Sequence, residues 1–144
     1  MEGYCKAFGA QTFIYDPYVD VFQTSLEQMF QECDVISLHV HVTDETKYMV
    51  SSKLLDLSKK DLYIINTSRG EIVNELDIID ALNTKKLTGY GTDVIEDEFG
   101  DLTKSPIIKG MNEGKNIIVT PHTGGMTIEG QTKAYTWAIN KIKK

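Results

Sequence analysis

Apolar positions along the chain follow two rhythms. Residues 34–40 (DVISLHV), 61–67 (DLYIINT), 87–94 (LTGYGTDV) and 116–120 (NIIVT) are short runs rich in β-branched residues, and QTFIY (11–15) is a fifth. Runs of this length and composition predict strands. Helical spacing lies between them. The opening residues, MEGYCKAFGA, read as a helix. TSLEQMFQE (24–32) predicts a helix with Thr24 as N-cap and Glu27 closing a capping box. SSKLLDL (51–57) predicts a short helix from a serine cap. NELDIIDALNTKK (74–86) has apolar residues at 76, 78, 79 and 82 and ends in lysines that suit a helix C-terminus. TIEGQTKAYTWAINKIKK (127–144) predicts a helix capped by Thr127. Segment 96–115 is the least regular and predicts a long loop with one helical turn. Strands alternating with helices define an α/β domain with a mostly parallel sheet. The strands are apolar on both faces, which predicts a sheet covered on both sides.

Composition changes this picture little. The 144 residues are 41% hydrophobic and 25% charged, a globular balance, and suffice for one domain. The net charge of −6 with scattered basic residues argues against nucleic acid as a partner. The basic KIKK terminus reads as a solvated helix end. No apolar run approaches the ~20 residues that span a membrane. Cys5 and Cys33 lack CxxC spacing and read as buried thiols in a reducing compartment, so the cytoplasm is the expected location. Of fifteen basic residues only Arg69 is an arginine.

Candidate chemistry gathers at strand ends. In open parallel sheets, ligands bind outside the carboxyl ends of the strands. NTSRGEIVN (66–74) places Arg69 after one strand, where its planar fork suits an anion. GTDVIEDEF (91–99) places Asp93, Glu96, Asp97 and Glu98 after the next, with Glu96 and Asp97 reading as solvated loop acids. VTPHTGG (119–125) ends a third strand in His122 and two glycines. An imidazole beside a carboxylate can give or take a proton near neutral pH. Glycines 124 and 125 admit close approach of a flat ring. Asp16, in FIYDPY (13–18), suits either a turn with Pro17 or a ribose hydroxyl ligand. His39 and His41 share a strand face but lack a third ligand nearby, so no metal site is expected.

Taken together and in this order, KAFGAQTFIYDPY, CDVISLHVHVTDETKYMV, INTSRGEIVNELDIIDAL, GTDVIEDE and NIIVTPHTGG resemble the NAD-dependent D-isomer-specific 2-hydroxyacid dehydrogenases. The resemblance implies a Rossmann-like doubly wound parallel sheet and an oxidoreductase that uses NAD on a small 2-hydroxy or 2-keto acid. It implies Arg69 as the ligand of the substrate carboxylate, His122 as general acid/base, and Glu98 as the carboxylate that favours the protonated ring. Asp93 is then the partner of the nicotinamide carboxamide and Asp16 of the adenosine ribose. Thr67, Gly124 and Gly125 flank the nicotinamide, with Val40 and Val42 lining the pocket. An acid at position 16 favours NAD over its 2′-phosphorylated relative. A family-like homodimer is compatible with this reading.

Two parts of that pattern have no counterpart in residues 1–144: the first strand with its glycine-rich loop, and a separate substrate domain. The expected organisation is therefore a partial NAD-binding domain, 1–144, with impaired activity alone. In the order 3-2-1-4-5-6, the runs 11–15 and 34–40 are expected on one side of a gap and the remaining strands on the other. The competing expectation is a non-catalytic remnant or protein-association module of the same fold. Smaller departures from the pattern are Asp44 and Asn74, where the family often has Pro and Asp.

Overall fold

The computed structural model describes residues 2–19 and 24–143. Four strands, β1 (Val35–Leu38), β2 (Tyr63–Asn66), β3 (Gly89–Thr92) and β4 (Ile117–Val119), pair in that order. All three pairings are parallel, with Ile36 opposite Ile64, Ile64 opposite Tyr90, and Tyr90 opposite Ile117. The helices are α1 (Glu2–Ala7), α2 (Leu26–Glu32), α3 (Ser52–Leu55), α4 (Glu75–Asn83), α5 (Pro106–Asn112) and α6 (Ile128–Ile142). Single 3-10 turns occupy Gly70–Ile72 and Leu102–Lys104. The Rossmann-like parallel α/β sheet expected from the sequence is present.

Side chains alternate across each strand, so one face of the sheet collects Ile36, Leu38, Ile64, Tyr90 and Ile117. These pack with Phe30 of α2, Leu54 and Leu55 of α3, Ile78 and Ala81 of α4 and Ile107 of α5 into one core. Cover on both faces was expected. Instead, Val35, Tyr63 and Ile118 on the opposite face are 57%, 41% and 68% exposed. No residue of α6 is buried.

Other expectations need correction. Residues 11–15 form no strand, and β1 pairs directly with β2, so no gap separates 34–40 from the strands that follow. A strand is stable only when its backbone groups are paired, and 11–15 has no described neighbour to pair with. The cap of α2 is Ser25, whose Oγ accepts from the Gln28 amide at 3.1 Å, rather than Thr24. Segment 96–115 holds a real helix, α5, started by Ser105 as N-cap and Pro106 in its first turn. Gly110 weakens the helical signal there. Its lack of a side chain leaves room for Ile79 of α4, whose Cδ1 would lie 2.5 Å from a Cβ there. The expected Thr127 cap is present, its side chain accepting from the Gly130 amide, and Asn74 caps α4 by accepting from the Leu76 and Asp77 amides. Cys5 and Cys33 are free but only partly buried, and burial raises the Cys33 thiol above its ordinary range. Among the described residues no helix is long and apolar enough to cross a membrane.

Candidate active site at the carboxyl ends of the strands

Each of β2, β3 and β4 runs into a loop that carries one predicted group. After β2, Asn66 organises the turn. It is fully buried; its Oδ1 accepts from the Ser68 amide and hydroxyl at 3.1 and 2.8 Å, and its Nδ2 donates to the Arg69 carbonyl at 2.8 Å. This fixes the Arg69 backbone and leaves its side chain outward. Arg69 Nη1 donates to the Ser68 carbonyl at 2.6 Å, and among the described residues the guanidinium enters no ion pair. Thr67, beside it, is exposed.

After β3, Asp93 turns toward the next loop. Its Oδ1 accepts from Thr120 Oγ1 at 2.5 Å and the Thr123 amide at 3.0 Å, and its Oδ2 from the Gly124 amide at 2.8 Å. Burial pushes this carboxyl up, but the three hydrogen bonds outweigh it and hold Asp93 below the usual carboxylate range. Asp93 thus shapes the loop after β4, with one lone-pair position left over for a further donor.

That loop presents His122 in the left-handed region, φ +52°, a conformation a short polar side chain tolerates at modest cost. Its Nδ1 lies 2.8 Å from Glu98 Oε1. The His122 side chain is 42% exposed and that of Glu98 21%. Glu98 and His122 are therefore brought together from separate loops, and Arg69 stands at the neighbouring strand end with no hydrogen bond or ion pair to either. Protonated, the ring donates to Glu98 through Nδ1 and keeps Nε2 free to donate outward.

The cofactor candidates divide. Val40 is half-buried against the core, and Val42 is 40% exposed, both just past the carboxyl end of β1. A Cβ at Gly124 would press on Asp93 Oδ2 at 3.0 Å, whereas nothing lies within 4 Å of a Cβ at Gly125. A planar group can lie over Gly125 without displacing protein, so these residues fit a nicotinamide. Asp16 lies outside the sheet and behaves as a turn residue: its Oδ1 accepts from the Tyr18 amide at 3.0 Å and its carbonyl from Val19. His39 Nε2 is engaged with Ser37 Oγ at 2.9 Å, and among the described residues no metal-ligating cluster forms.

Three residues in this region escaped the sequence reading. Glu75, only 5% exposed, accepts from the Glu96 amide at 2.8 Å through Oε1 and from Ser105 Oγ at 3.2 Å through Oε2. Tyr48 donates its hydroxyl to Glu96, which therefore is not a free solvated acid, and that bond holds the phenol above its usual range. Gly70 sits so close to the loop after β3 that a Cβ would fall 2.1 Å from Glu96 N. Only Gly70 left a sequence signal, as the glycine directly after Arg69.

Residues 1–124 match the model for the NAD-binding domain of D-isomer-specific 2-hydroxyacid dehydrogenases, and the chain belongs to that family, whose cofactor is NAD. It is 33% identical over 138 residues to a 2-hydroxyacid dehydrogenase homolog of Zymomonas mobilis, covering 85% of this chain and 42% of that protein. The D-lactate dehydrogenase of Aquifex aeolicus, solved with NAD and lactic acid, superposes with a TM-score of 0.77 at 32% identity over 98% of this chain and 47% of its own. A Salmonella D-lactate dehydrogenase superposes with a TM-score of 0.81 at 26% identity over 99% of this chain and 48% of its own. The chain spans less than half the length of each.

Proposed function

We propose that this chain supplies the nicotinamide side of an oxidoreductase acting on a D-2-hydroxy acid or reducing the matching 2-keto acid. The observation that carries the proposal is the His122–Glu98 contact, 2.8 Å between groups 24 residues apart, at the same end of the sheet as an arginine with no acidic partner among the described residues. When bound, NAD supplies or accepts the hydride. The chain's own groups do the rest. The guanidinium of Arg69 holds the substrate carboxylate through its free N–H groups. Protonated His122, oriented through Nδ1 by Glu98, delivers a proton from Nε2 to the carbonyl oxygen as it becomes a hydroxyl, and removes it in the reverse direction. Asp93 keeps the His122 loop in place and offers its remaining lone pair to the carboxamide. Val40, Val42, Thr67 and Gly125 bound the space for the ring, and Asp16 holds the adenosine ribose if segment 11–16 swings beside the sheet. The partial domain organisation over 1–144 belongs to this proposal, as does weak activity of the chain alone.

The open sheet face and bare α6 favour a second reading, a fold kept for association with another protein. One titration separates them. NADH is added to the chain and followed by its fluorescence, with and without a panel of 2-keto acids. The proposal expects NADH binding weaker than micromolar that tightens when a 2-keto acid is present, and loss of that tightening in Arg69→Ala. His122→Gln keeps the binding but lowers NADH oxidation by about 10²–10⁴-fold. Absence of any coupling between NADH and keto acids supports the association module instead.

A further inference from the structure

The catalytic pair depends on a loop, and that loop is tied down by a residue outside the pair. Glu98 is six residues beyond the end of β3, with Ile95, Glu96 and Asp97 between it and the buried Val94. Asp97 takes a positive φ of +53°, so the chain reverses just before Glu98. The position of Glu98 is then set by whatever fixes Glu96. Two contacts do so from beneath. The backbone of Ile95–Glu96 rests on Gly70 with no room for a Cβ. The Glu96 amide donates to Glu75 Oε1 at 2.8 Å, and Glu75 is held at its other oxygen by Ser105. Glu75 is the first residue of α4, whose Ile78 and Ala81 lie in the core, so the anchor is rigid. A carboxylate so deeply buried is costly; burial raises it above the ordinary range despite its hydrogen bonds. Stability alone favours an apolar side chain at such a position.

We infer that Glu75 is a positioning residue for the proton-transfer pair: through the Glu96 amide it holds the loop that presents Glu98 to His122. Glu75 touches neither the substrate space nor the ring. Gly70 extends the same logic to Arg69, since the turn bearing the guanidinium and the loop bearing the carboxylate pack backbone to backbone. The inference rests on the proposed role of the His122–Glu98 pair.

The test is NMR of the full chain, reading the ring-proton titration of His122 against His39 and His41, together with amide exchange. Glu98→Gln first defines how far the His122 midpoint moves when the pair is lost. Glu75→Ala is then expected to carry the midpoint most of the way to the Glu98→Gln value and to speed exchange of the Glu96 amide by about tenfold or more. Glu75→Gln, whose carbonyl still accepts from Glu96 and whose amide still reaches Ser105, restores both. If Glu75→Ala does not fold, Glu75→Asp, shorter by one methylene, is expected to act in its place. A His122 midpoint unchanged in folded Glu75→Ala or Glu75→Asp, while Glu98→Gln moves it, overturns the positioning role. A midpoint that Glu98→Gln itself leaves unchanged overturns the pair, and the positioning role with it.

Discussion

The two faces of the sheet are built from the same strands and nearly the same residue types, yet they live in different surroundings. Ile64 of β2 is fully buried, while Ile118 of β4, on the other face, is 68% exposed. The covered face has four helices packed on it, and its rigidity continues into the loops at the carboxyl ends. Asn66 pins its own turn, and Asp93 and Glu75, also buried, tie neighbouring segments together. The open face has no such continuation. The His122–Glu98 contact is therefore supported from the covered side, while Val35, Tyr63 and Ile118 on the other side stay exposed.

The largest expected contrast is in stability. Ile64→Ala should lower the unfolding free energy by about 2–5 kcal/mol, whereas Ile118→Ala should stay within about 0.5 kcal/mol. Urea melts of the two variants give the difference directly, and equal losses would mean that the outer face is covered in solution. Next is Gly70→Ala, which drives a methyl into the Ile95–Glu96 backbone and should cost about 1–3 kcal/mol or more. It should also abolish the NADH tightening assigned to Arg69.

Smaller effects come from the two buried carboxyls, and their signs oppose. Asp93 is held below its ordinary value of ~3.9. Its stabilisation is whole above about pH 5 and disappears as pH falls through its folded value. Glu75 is raised above ~4.3. Its contribution is whole below that value and declines as pH rises through the elevated one. Denaturation midpoints across pH should thus fall less steeply toward acid in Asp93→Asn. Relative to wild type, Glu75→Gln should gain as pH rises toward neutral. The smallest effect belongs to α6: Trp137, 65% exposed, should tolerate Trp137→Ala within about 0.5 kcal/mol. A larger loss would show that the helix is packed in solution.

The sequence reading located β1 to β4, because β-branched runs bounded by turn residues have few other uses. It also found α4 through its apolar spacing and α6 through its Thr127 cap. Residues 11–15 defeated it, since a strand-like run becomes a strand only beside a partner. The helix α5 was missed because the glycine that admits Ile79 also breaks the helical pattern. At the site, Arg69 and His122 were visible as unusual residue types at strand ends, and Glu98 was picked out from its neighbouring acids by the family resemblance. Glu75 was hidden because an acid at a helix start has an ordinary explanation in the helix dipole. Glu96 was misread as solvated for a similar reason: nothing local announces that Tyr48, 48 residues away, hydrogen-bonds to it.

By itself the sequence determined the alternation of elements and the parallel sheet, because periodicity and capping act within a few residues. It also determined the family, because five separated motifs in one order have no other common source. Only the tertiary structure decided which sheet face is covered, that Glu96 is bonded to Tyr48 rather than solvated, and which buried carboxylate holds the loop that carries Glu98. Those outcomes depend on contacts between residues 20 to 50 positions apart, and such contacts are fixed by the packing of whole elements rather than by any local preference.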